Sequence, residues 1–423
     1  MKKVLVITYY WPPAGGPGVQ RWLKFVKYLR DFNIEPVVYI PENPEYPLID
    51  ETFLKDVPEN IRVYRHKIFE PYRLASLFSS KKTKRISSGI IQSKNQSFIE
   101  KTLLWVRGNL FIPDARKFWI RPSVAFLEDV LEKEKIDTII TTGPPHSVHL
   151  IGYHLKKLKS VKWIADFRDP WTSIGYHKKL KLTSASKKKH KNLESMVLNF
   201  ADKIVVTSNT TKKEFEQITE QPIKVITNGF DGLKNDMAIL DSKFTISHIG
   251  SMLTGRNPVN LWGVLSALIK ENKDFKNAFR LQFIGVISDD ILKSIQSFGL
   301  EEFCEVLGYV PHVEALKYQG SSQILLLAEI DSSDTIGIIP GKLFEYMAAQ
   351  RPILGIGPKN WEVKNMVSET NSGHIFDYTD EVEIKNVLLN WFEQFQNGEL
   401  SVSSTGIEAY SRRELTRKLA EYI

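Results

Sequence analysis

The hydrophobic positions of this chain fall into short apolar runs separated by stretches of helical period. KKVLVITYY (2–10) is an apolar, β-rich run, and after a Gly/Pro loop VQRWLKFVKYLRDF (19–32) carries its apolar residues at helical spacing. EPVVYI (35–40) predicts the next strand. Residues 41–120 show no period that orders them. From 122 onward the alternation is regular. Helix PSVAFLEDVLEKEK (122–135) precedes strand DTIITTG (137–143), helix SVHLIGYHLKKL (147–158) and strand VKWIAD (161–166). Helix KKHKNLESMVLNFA (188–201), strand DKIVVTS (202–208), helix TTKKEFEQI (210–218) and strand IKVITNG (223–229) complete this half. LKNDMAILDSK (233–243) is polar and unpatterned, a linker. Strands then recur at FTISHIGS (244–251), FRLQFIGV (279–286), EVLGYV (305–310), QILLLAEI (323–330) and RPILGIG (351–357). Helices fall near 258–271, 289–298, 312–320, 340–350, 360–369 and 379–396, and 406–423 reads as one last helix.

Short strands alternating with helices imply right-handed crossovers and parallel sheets. The expected fold is α/β: two doubly wound, Rossmann-like domains over 1–232 and 244–405, joined by the linker 233–243. Ligands of such sheets bind beyond the carboxyl ends of the strands, and two such domains can face each other across a cleft. The loops that follow strands are therefore the candidate sites.

Composition narrows the class. With 423 residues, 42% hydrophobic and 25% charged, the chain is globular and long enough for two domains. Cys304 is the sole cysteine, so no internal disulfide forms, which suits a reducing compartment. The start MKKVLVITYYWPPAGG lacks the long apolar core and small-residue cleavage site of a signal peptide and reads as a first strand. No apolar run approaches the ~20 residues that span a bilayer. The net charge of +8 is unevenly placed: 81–107 holds seven Lys/Arg against one Glu, and 177–191 holds seven Lys and no acid. Two solvated loops and an anionic membrane surface both fit these tracts. Ile, Phe, Leu and Trp within the first favour a membrane over nucleic acid, and no zinc-knuckle, RNP or helix-turn-helix pattern supports nucleic acid.

Five loops carry candidate chemistry. In WPPAGGPGVQR (11–21), Gly15, Gly16 and Gly18 permit close backbone approach before a helix start, fitting a phosphate or sugar site or a tight turn; neither GxGxxG nor a P-loop is present. In TTGPPHSVH (141–149), His146 and His149 stand at a helix start, for a sugar hydroxyl or for packing. ADFRDPW (165–171) sets Asp166, Arg168, Asp169 and Trp171 at one strand end, with an Asp166–Arg168 pair as the plain alternative. In GSMLTGRNPVNL (250–261), Asn257 suits an N-cap and Pro258 the first helical position, which leaves Arg256 beside a helix start, chemistry for a diphosphate. In IIPGKLFEYMAAQRPIL (338–354), Leu343, Phe344 and Met347 form a packing stripe. Lys342 opposes the helix dipole in the first turn, and Glu345 lies off the stripe. A dianion at that helix start would account for the lysine, and ribose hydroxyls for the glutamate.

GGPGVQR, TTGPPHSVHLIG, WIADFRDPW, ADKIVVTS, VITNGFD, HIGSMLTGRNP and above all IPGKLFEYMAAQRPIL, a P-x-K-x-x-E-Y-M-A run, resemble the GT-B glycosyltransferases of the retaining, family 4 kind that build surface polysaccharide and lipopolysaccharide. The resemblance implies that the second domain binds a nucleotide-diphosphate sugar and the first a lipid-linked or growing glycan acceptor, with residues 406–423 crossing back to the first domain. It implies no metal and no further cofactor, and a cytoplasmic enzyme peripheral to the inner face of the membrane. By the same resemblance Arg256 and Lys342 hold the diphosphate, while Leu343 and Glu345 belong to the nucleotide side. Gly15, Gly16 and Gly18 lie near phosphate and acceptor, and His146 touches the donor sugar. Asp169 serves the acceptor side with Arg168 and Trp171 near it. One departure stands out: in the family's E-x7-E pattern the first position is Gly337. Two alternatives remain at this point, a nucleotide-sugar 2-epimerase of the same fold and an inactive sugar-nucleotide-binding subunit.

Overall fold

The computed structural model describes residues 1–70, 98–178, 180–232 and 239–423. The chain divides into two compact units, Met1–Asn228 with Arg412–Ile423, and Gly229–Ser411. Six residues of the expected linker (233–238) and most of the basic tract 81–107 lie outside the described residues.

The first unit holds seven parallel strands: β1 (Lys2–Thr8), β2 (Ile34–Pro41), β3 (Arg62–His66), β4 (Thr138–Gly143), β5 (Lys162–Phe167), β6 (Lys203–Val206) and β7 (Ile223–Val225). Their order is β3-β2-β1-β4-β5-β6-β7. The chain winds outward in both directions from β1 and β4, which places the topological switch point, the usual ligand position of such sheets, at their carboxyl ends. Central strands are buried on both faces, which is why they are rich in Val, Ile, Leu and Thr. Helix Pro17–Leu29 starts on Gly16, whose φ of 92° is costly for other residues, and has proline in its first turn. Helix Arg412–Ala420 packs on it, and Leu415, Leu419 and Ile423 share a core with Trp22, Leu23 and Val26.

The second unit holds six parallel strands: β8 (Phe244–Ile249), β9 (Phe279–Ile284), β10 (Cys304–Gly308), β11 (Ile324–Ala328), β12 (Ile353–Ile356) and β13 (Gly373–Phe376). Their order, β10-β9-β8-β11-β12-β13, sets the switch point between β8 and β11. One core lies on the helix Val259–Glu271 side of the sheet, and the other includes Leu343, Phe344 and Met347 of helix Lys342–Ala349.

Several local expectations are corrected. β3 and β13 are edge strands with no apolar run to announce them; RVYRH is exposed or half-buried throughout, and GHIF has four residues. The segment 406–423 is not one helix: a 3-10 turn at Ile407–Tyr410 ends on an extended Ser411 before helix Arg412–Ala420 begins. Asn257 does not cap the following helix. Pro258 stands at the cap, and Asn257 Oδ1 accepts from Trp262 Nε1 at 2.7 Å. Among the described residues no helix is long and apolar enough to cross a membrane.

Candidate functional site

In the second unit, the loop after β8, the end of β11 and the start of helix Lys342–Ala349 bring two cations together. Arg256 forms a two-point ion pair with Glu329, Nε to Oε1 and Nη2 to Oε2, each at 3.1 Å. Glu329 follows β11 directly and is fully buried, and its Oε1 also accepts from the Ile330 amide at 2.8 Å. A buried carboxylate is tolerated when its lone pairs are used in this way. Lys342 Nζ lies 2.9 Å from Nε2 of His248, a buried residue of β8 whose Nδ1 lies 3.0 Å from the Leu326 carbonyl. Burial pushes the Lys342 amine down to about 7. The nearby Arg256 charge adds to this, and Glu329 and Glu345 pull the other way. Burial first, then Lys342, holds His248 well below the usual histidine range. Tyr346, one turn into the helix, accepts from the Ile249 amide at 2.9 Å and so pins the end of β8 beside this cluster.

Of the residues expected here, Arg256 and Lys342 converge. Glu345 is half-buried; its Oε2 accepts from Gln319 Nε2 at 2.9 Å, and His312 Nε2 stands 3.7 Å from Oε1. The side chain of Leu343 is fully buried in the core, and its amide donates to Pro340 O. Sequence reasoning missed Glu329 and His248. Both sit inside segments taken only as strands, yet an ionisable residue in an apolar run must find a partner, and that was the available signal.

In the first unit the expected residues gather at the ends of β4 and β5. Arg168 is half-buried and braces the loops. Its guanidinium donates to the carbonyls of Gly143 (3.2 Å), Gly18 (2.7 Å) and Pro144. A methyl group on Gly18 would sit 2.3 Å from Arg168 Nη1, which is why glycine stands there. Gly15 is likewise packed, against Leu48, whereas nothing lies within 4 Å of a side chain built on Gly16. Asp166 does not pair with Arg168. It is buried with Arg21 (2.8 Å), Trp22 Nε1 (2.7 Å) and Thr142 Oγ1 (2.8 Å). Burial raises its carboxyl, but these three partners outweigh it and the net shift is downward. Asp169 is exposed.

His146 and Trp171 pack on each other. The His146 ring stacks on Trp171 at 4.6 Å and 3°, both are buried, and Trp171 Nε1 donates to His190 Nδ1 at 3.2 Å. Trp171 therefore presents no free face to an acceptor ring. Neither ring nitrogen of His146 has a hydrogen-bond partner. Burial, then the neighbouring His149, His177, His190 and Arg168, keeps it far below the usual histidine range and uncharged. His149 stacks on Phe167 and bonds Thr141, a packed histidine pushed down to about 3 by burial. Among the described residues no group of three or more His, Cys, Asp or Glu is placed to hold a metal ion.

Residues 92–232 match the family model described as Glycosyltransferase Family 4. No curated protein matches the chain. Among solved structures, a glycosyltransferase from Rickettsia africae is 14% identical with a TM-score of 0.60, the alignment covering 100% of this chain and 97% of that one. The apo form of a lipopolysaccharide outer core galactosyltransferase, WaaB, is 13% identical with a TM-score of 0.58, over 100% and 99%. A UDP-N-acetylglucosamine 2-epimerase assignment from Listeria monocytogenes shares the fold at 11% identity and a TM-score of 0.53, over 99% and 95%. The two parallel sheets and the full-length match place this chain in the GT-B fold, and residues 92–232 carry the glycosyltransferase family 4 match.

Proposed function

We propose that the protein transfers a sugar from a nucleotide-diphosphate donor to a lipid-linked or growing glycan acceptor, with retention, in the assembly of cell-surface polysaccharide. The observation that carries this reading is the convergence of Arg256 and Lys342 at the β8/β11 switch point. Two cations at the carboxyl end of a parallel sheet suit a diphosphate leaving group. Stabilising its developing charge is the largest contribution the protein can make when the glycosidic bond to the donor breaks. Glu345 lies within the same helix turn, in reach of a ribose once it exchanges Gln319 for the ligand's hydroxyls. On the first unit, the open Gly16 and the exposed Asp169 are the acceptor-side groups. Arg168 holds their loops in place rather than touching substrate.

A membrane location is part of the proposal. Lys187, Lys188, Lys189 and Lys191 are exposed on helix Ser184–Phe200, and Phe69, Trp105, Leu110 and Phe118 are exposed large apolar side chains of the same unit. Cations and aromatic rings on one unit suit the anionic interface where a lipid-linked acceptor resides.

Binding measured calorimetrically against UDP-, GDP-, ADP- and dTDP-sugars tests the donor site, and one of the four should saturate it. Release of the free nucleoside diphosphate should then require a glycan acceptor and survive EDTA. Release without acceptor, together with a change at C2 of the sugar, would convert the reading to an epimerase.

A further inference from the structure

Leu326 O can only accept a hydrogen bond, so the 3.0 Å contact from His248 Nδ1 fixes the hydrogen on that nitrogen. A neutral ring then presents a lone pair on Nε2, where Lys342 Nζ stands at 2.9 Å. The lysine donates to this lone pair whether or not it carries its extra proton. A second proton on the ring would set an N–H against the amine in a buried place, and the position of His248 within β8 disfavours that. Beneath the lysine stem the backbone is bare. A side chain built on Gly250, whose φ is 104°, would lie 3.0 Å from Nζ and 3.3 Å from Cε. The lysine thus runs over a glycine to a histidine whose tautomer is fixed. The charged groups that act on Lys342 are Arg256, Glu329 and Glu345, and His248 is the ring in direct contact.

We infer that His248 is a positioning residue, which holds the Lys342 amine at the end of β8 with one N–H committed and the others directed to the incoming anion. The inference rests on the reading of Lys342 as a diphosphate ligand. It explains why an ionisable ring occupies a fully buried strand. A lysine has four rotatable side-chain bonds, and holding its tip in place before the ligand arrives removes part of the ordering cost of binding.

Two conservative variants separate the two bonds of the ring. In His248→Gln the amide oxygen reaches the position of Nε2 and can still accept from Lys342, while the bond to Leu326 is lost. In His248→Asn the amide stands at the position of Nδ1, keeps the bond to Leu326 and falls short of the lysine. Competitive acetic anhydride labelling of the full chain over pH 5–10, read on the Lys342 peptide by mass spectrometry, follows that amine without any ligand. The wild type and His248→Gln should titrate alike, near 7. His248→Asn should move by roughly one unit or more toward ordinary lysine as the freed side chain finds solvent. An unchanged titration in His248→Asn, or a shift in His248→Gln alone, overturns the inference. Repeating the labelling with UDP, GDP, ADP and dTDP tests the donor reading separately. If none of the four protects Lys342 the diphosphate assignment fails, while the titration still decides the role of His248.

Discussion

Replacing Lys342 by methionine should make the protein more stable and its donor site weaker. The folded amine stands at about 7 against an ordinary value of 10.5. At pH 7 the unfolded lysine is fully charged and the folded one half so, a difference that linkage converts to about 4 kcal/mol of destabilisation. Methionine fills nearly the same volume without the charge. It forfeits the bond to His248, worth about 1 kcal/mol. About 3 kcal/mol remains, and Tm of a domain of this size moves roughly 2–4 °C per kcal/mol. The sign fixes a pH signature. A lysine whose folded value is depressed costs most below that value, and the cost fades as pH rises from about 7 toward 10.5, so the advantage of the variant should be largest at pH 6 and nearly gone at pH 10. Urea titrations across that range measure it. Calorimetry should show a loss of at least tenfold in affinity for the nucleoside diphosphate. A variant that is less stable than wild type at pH 6 would refute the burial argument, and one that binds the diphosphate undiminished would refute the site.

Asp166→Ala should cost about 3–5 kcal/mol in urea denaturation, because it strands the buried Arg21 guanidinium. The stabilisation from Asp166 should be present above the ordinary carboxylate range and be lost as pH falls through its depressed value. Gly18→Ala should displace Arg168 and cost about 1–3 kcal/mol, while leaving nucleotide affinity on the other unit unchanged. Replacing Lys187, Lys188 and Lys189 together by glutamine should abolish co-sedimentation with phosphatidylglycerol vesicles at 0.1 M salt. Equal pelleting of variant and wild type would make that helix face merely solvated.

The sequence was most legible where burial is complete. β1, β4, β8 and β11 are central strands covered on both faces, and their short apolar or β-branched runs announce them. β3 and β13 are edges, and an edge strand needs apolar residues on at most one face, so RVYRH and GHIF carry no pattern to read. The site followed the same logic. Arg256 and Lys342 were visible because each is a charge beside a helix start, an arrangement with a physical cost that asks for a reason. The partners that set their geometry were not visible, since Glu329 lies at the end of β11 and His248 within β8, and they meet those cations only through the β8/β11 neighbourhood. Trp171 was open to two readings for a related reason. An aromatic at a strand end is equally suited to a ligand and to a buried stack, and here His146 takes its face.

The partners also change what the site must do on binding. Arg256 is already neutralised by Glu329 through two bonds, and Lys342 sits near the midpoint of its titration, so the cluster carries little net positive charge at neutral pH. A diphosphate brings two or more negative charges into it. The nearest source of compensation is a proton on Lys342, since an anion beside the amine restores the charged form that burial disfavours. Donor binding on this reading takes up protons above pH 7, and the measured enthalpy should vary with the ionisation enthalpy of the buffer. Glu329 sets how far this goes. Converting it to glutamine would free the charge of Arg256 and depress Lys342 further, so the two cations would exchange the work of meeting the diphosphate without any change in the number of ligands. A buffer-independent enthalpy in wild type at pH 8 would mean that Lys342 is already charged, and that Arg256 and Glu329, not proton uptake, answer the incoming anion.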